Sequence, residues 1–157
     1  MRASTRRLSP RWLALGPAAF SLVVATGAVQ AQDKAQLSAV HRQVSTAEST
    51  IAKAITAGDS NSLFRIGTEL GRIIEAALEK RESGGEVSAC DMAAHSLAFA
   101  AVSASDGLAS KGEPRKALLD DAVSASSDFR KDMLTCDKQA GKKTGSHTSV
   151  EKALRAL

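Results

Sequence analysis

Two cysteines and three histidines are the residues of this chain best suited to chemistry. Cys90 and Cys136 are its only cysteines. They lie far apart with no C-x-x-C, so a disulfide is a better reading than a redox or metal motif. His41 and His95 could each offer a ring nitrogen, and Met92 and Met133 a thioether, which together make a donor set for haem iron or copper. His147 falls in a Gly/Lys/Ser/Thr-rich stretch and is expected to be solvated. Serine is plentiful but has no evident base partner, and G-x-S-x-G, H-E-x-x-H and P-loop patterns are all missing. Asp120, Asp121, Asp128 and Asp132 read as wet helix faces. Asp91, one turn before His95, could orient that imidazole. The expectation is a chain without catalysis.

Helical periodicity is what would position these groups. From Asp33 to Ala57, the residues Leu37, Val40, Val44, Ala47, Ile51 and Ala54 recur at spacings of three and four, one apolar stripe on a helix. A second helix, about 61–81, carries a wider apolar face with Gly67 and Gly71 one turn apart, a spacing that allows close backbone approach. The third, about 88–110, opens with Ser88 and Asp91 in a capping-box pattern. It is so rich in Ala and Ser that it should be the most buried. The fourth starts near Pro114, a residue suited to a first helical turn, and presents Leu118, Ala122, Ala125, Phe129, Met133 and Cys136.

Gly112-Glu113-Pro114 breaks the chain midway between the two cysteines. Two helices folded back at that break bring Cys90 and Cys136 together at their open end. A bridge over this loop would stabilise by roughly 3–4.5 kcal/mol in the chain-entropy model. Short breaks and no strand alternation predict an all-α, up-down-up-down antiparallel four-helix bundle. In outline this is similar to the cytochrome b562 and cytochrome c′ bundles, which would imply a haem held near His41, His95 and Met133. C-x-x-C-H, the attachment motif for covalent haem, does not occur.

Charge locates the parts. The chain has a formal net charge of +4, but it is unevenly spread. Residues 1–31 carry Arg2, Arg6, Arg7 and Arg11 and no acid, followed by an apolar run ending at Val29-Gln30-Ala31. That is the pattern of a secretion signal cleaved before Gln32, by the general route rather than the twin-arginine one. No membrane anchor should remain after cleavage. Residues 32–137 hold 12 basic and 16 acidic residues, a body unsuited to phosphate backbones, so nucleic acid is not an expected partner. Residues 138–157 hold five basic and one acidic.

The expected domains are thus a signal over 1–31, a bundle over 32–138, and a basic flexible linker with a short amphipathic helix over 139–157. An exported protein of the periplasm or exterior follows, acting through contacts with a protein partner. Its candidate contact residues are Lys142, Lys143, Val150, Leu154 and Leu157. The alternative is a metal- or haem-carrying bundle using His41, His95 and Met133.

Overall fold

The computed structural model describes residues 26–157, with side chains from residue 34 onward. The expected secretion signal therefore lies outside the described residues, save for the backbone of its last six. Five helices follow in order: α1 (Thr26–Ala57), α2 (Ser60–Glu82), α3 (Ala89–Ala109), α4 (Gly112–Gln139) and α5 (Ser149–Leu154). Helices α1 to α4 form the antiparallel bundle expected from the periodicity, and α5 packs on it.

Local chemistry sets the helix ends. Gly58, at φ +68°, takes the left-handed turn between α1 and α2. The Asp59 side chain then accepts from the Ser62 N–H and caps α2. Ser88 and Asp91 form the full capping box of α3, each side chain bonding the other's backbone N–H. This spends the Asp91 carboxylate at the helix start, so it does not orient His95.

Helix α3 is the axis of the bundle. It packs against α1, α2 and α4, and small residues cover most of its buried surface. Where Gly67 of α2 meets α3, an added Cβ would lie 2.7 Å from the Val102 side chain and 3.3 Å from the Ala98 carbonyl oxygen. The expected close approach is therefore made at Gly67. Gly71 faces open space. Hydrogen bonds reinforce the same axis: Ser105 donates to the Ser60 carbonyl and Ser96 to Asp132. Asp132 is thus a cross-link between α3 and α4, not the freely solvated acid its sequence setting suggested.

Cys90 and Cys136 are bonded, with Cα atoms 4.7 Å apart, inside the usual disulfide range. Both are fully buried. Beside them the Ala89 N–H donates to the Gln139 side chain, 3.0 Å away, so the open end of the α3/α4 hairpin is closed twice.

Helix α1 differs from the expected picture by a rotation. Its buried residues are Val44, Glu48, Ile51, Ala54 and Ile55, while Leu37, Val40 and Ala47 are only half-buried. The cause is its neighbours. Helix α5 lies between α1 and α4 and contacts both, while α1 and α4 barely touch each other. Val150 and Leu154 bury their side chains there, at 1% and 5% exposure. The buried face of α1 turns towards α5 and leaves the α2 side partly open.

Replacing Cys90 and Cys136 by Ala together should cost about 4 kcal/mol, the chain-entropy value for a loop of this length. Urea unfolding is the measurement, and reducing the native protein should reproduce the loss. An unchanged midpoint would show that the bridge does not constrain the unfolded chain.

Candidate functional site

Polar groups of three helices and one linker converge beside α5. Asp137, on the last turn of α4, is 1% exposed. Its Oδ1 accepts from His41 Nε2 of α1 at 2.8 Å, and its Oδ2 accepts from His147 Nε2 at 2.9 Å and the Gly145 N–H at 2.8 Å. The second ring nitrogen of His147 donates to Glu48 Oε2 of α1 at 2.9 Å. Ser149, at the start of α5, donates to the other Glu48 oxygen. The edge of the His147 ring meets Phe129, centroids 6.1 Å apart at 81°. His147 is not solvated, as its sequence setting suggested. Its residue takes a positive φ of 47°, and its side chain is 10% exposed.

The reason is electrostatic. Two carboxylates so poorly hydrated need donors and positive charge, and the linker's His147, which reaches both, supplies them beside His41 and Ser149. Burial pushes the His147 pKa down, but hydrogen bonds to Glu48 and Asp137 and their negative charges outweigh it, so the pKa rises above the ordinary 6.5. Burial likewise pushes Asp137 up. Hydrogen bonds from His147, the Gly145 N–H and His41 overcome this and hold its carboxyl below the ordinary 3.8.

The arrangement joins elements but is poorly placed for base catalysis. With both ring nitrogens donating to carboxylates, His147 keeps no lone pair for a substrate proton. Ser149 is bonded to a carboxylate and not to an imidazole, so no Ser–His pair forms. Among the described residues no three His, Cys, Asp or Glu side chains are grouped in a way that could hold a metal ion.

The sequence-derived donors do not converge. His41 is taken by Asp137, Met133 is fully buried in the core, and His95 is exposed on α3. The C-terminal contact set also divides. Val150 and Leu154 are spent on the bundle, whereas Lys142, Lys143 and Leu157 are exposed. Glu48 and Asp137 were missed in the sequence, although a signal for one of them exists. His41, Val44, Glu48, Ile51 and Ile55 also follow the three-four spacing, and an acid on such a stripe requires a buried partner.

A second feature lies on the other flank of α1. A cleft of about 1740 Å³ runs between α1 and α2, from Lys34 to Thr50 on one wall and Arg65 to Lys80 on the other. At 1.5 Å per residue it is about 24 Å long. Leu37, Val40, Ile66, Leu70, Ile73 and Ala77 supply its apolar surface. Elsewhere, Phe64 of α2 and Phe99 of α3 are 57% and 54% exposed.

The chain matches no protein-family model, no curated protein and no solved structure.

The clasp has a defined pH dependence. The Asp137 contribution is present above 3.8 and is lost as pH falls through its lowered folded pKa. The His147 contribution is complete below 6.5 and is lost as pH rises through its raised folded pKa. Urea unfolding across pH should therefore show greatest stability between these values. His147→Gln should cost about 2 kcal/mol near pH 6 and remove the alkaline decline. A native profile that stays level from pH 6 to 9 would mean the ring is not held as a cation.

Proposed function

We propose that this is an exported, non-catalytic helical-bundle protein that acts in the periplasm or outside the cell by holding another protein. The open cleft between α1 and α2 carries the reading. A bundle that needed only to be stable would close that flank as α5 closes the other. Here Leu37, Val40 and Ile73 remain half-buried instead, and a contiguous apolar strip of this kind is often functional.

Two observations support export. The Cys90–Cys136 disulfide is of a kind that persists in oxidising compartments. The basic, then apolar, N-terminal sequence is the expected signal for leaving the cytoplasm.

The test is crosslinking inside the native host. A photoreactive residue substituted for Val40 or Ile73 should join the same second protein. One substituted for Asp120, on the wet face of α4, should join none. If the cleft positions give no protein adduct at all, the reading fails.

A further inference from the structure

We infer that the α1/α2 cleft is built for an acidic amphipathic helix of about four turns, supplied by the protein partner proposed above. The charge pattern argues for it. Residues 32–137 are acidic overall, with 12 basic and 16 acidic residues. Yet five of those basic residues line the cleft, against three of the acids. Two of the three acids are already engaged. Asp91 is committed to the α3 capping box and Glu69 pairs with Arg65 at 3.4 Å. Glu86 is the third. Lys34, Arg42, Arg72 and Lys80 make no ion pair among the described residues. With Arg65 and Glu69 offsetting each other, the lining keeps four basic residues (Lys34, Arg42, Arg72, Lys80) against two acidic ones (Glu86, Asp91), a net positive rim on a net acidic body.

The distribution of these cations selects the shape of the occupant. Lys34 and Arg42 are eight residues apart on one wall, and Arg65, Arg72 and Lys80 are seven and eight apart on the other. Each step is about two helical turns, or 10–12 Å. Positive charge thus recurs at a two-turn interval on both rims, from Lys34 to Arg42 and from Arg65 to Lys80, beside an apolar floor. A lipid or fatty acid presents one acidic head, fewer charges than the cations spaced along either rim. A helix with an apolar stripe and acids on both flanks repeats its charge at the same two-turn interval. The volume points the same way, since about 1740 Å³ exceeds the usual 300–1,000 Å³ of a small-molecule site. The molecule itself shows the mode of binding. On the opposite flank of α1, the amphipathic α5 inserts Val150 and Leu154, its Ser149 donates to Glu48, and His147 just before it bridges Glu48 and Asp137. Helix-in-groove recognition uses the same physics.

The inference rests on the protein-holding reading, and its test separates the two. The probe is a labelled 18-residue helical peptide with Leu at three- and four-residue spacing and Glu on both flanks. Its control has every Glu replaced by Lys. Binding to the protein isolated from its native host is read by fluorescence anisotropy. The Glu peptide should bind at least about tenfold more tightly than the Lys peptide, and 1 M salt should narrow the gap. Arg42→Glu with Arg72→Glu, both at exposed positions, should invert the preference while helix content by circular dichroism stays unchanged. Equal binding of both peptides, or of neither, overturns the inference. So does saturable binding of sodium oleate with no peptide binding. If the same double variant still crosslinks from Val40 or Ile73 to the native partner, the acidic-helix assignment falls and the protein-holding function stands.

Discussion

The position of α1 depends on one clasp, the His147 imidazolium held between Glu48 of α1 and Asp137 of α4. Without it, two poorly hydrated carboxylates would face each other across the end of the bundle with only His41, Ser149 and the Gly145 N–H to stabilise them. Two carboxylates left without that partner in a poorly hydrated site would destabilise the fold. The cation comes from a linker, so the linker is fixed at that point although it carries no regular secondary structure. The bond that satisfies the carboxylates also sets α5 down between α1 and α4. Electrostatics and packing are therefore coupled at a single side chain.

The rest of the bundle is assembled by a different means. Helices α2, α3 and α4 pack through small residues, a glycine approach at Gly67 and a buried disulfide. Around that three-helix unit, α1 is the outlier. It meets α2 and α3 over limited stretches and is flanked by α5 on one side and the open cleft on the other. The proposed partner helix would add packing on the flank of α1 that the described residues leave half-covered.

The helices and the bridge were legible in the sequence because both are signalled by spacing. Three-four apolar recurrence fixed four helices, and a breaker midway between two cysteines fixed the hairpin they close. The clasp was not legible, because His147 carries no periodic signal and sits among residues typical of a solvated linker. The rotation of α1 was hidden for a related reason. Val40–Val44–Ala47–Ile51 and His41–Val44–Glu48–Ile51 satisfy the same spacing, and hydrophobicity favoured the first. Only the arrival of α5, from about a hundred residues away, decides for the second. The cleft follows from that choice, because Val40 and Ala47 are the residues the rotation leaves half-covered.

Native-state hydrogen exchange tests the dependence of α1 on the clasp most directly. Comparing the native protein with His147→Gln, amides from Val44 to Ile55 and from Val150 to Leu154 should lose protection together. Those of α3 and α4 around the disulfide should keep theirs. Undiminished protection along α1 in the variant would show that ordinary packing holds it, and that the clasp is an accessory to the fold.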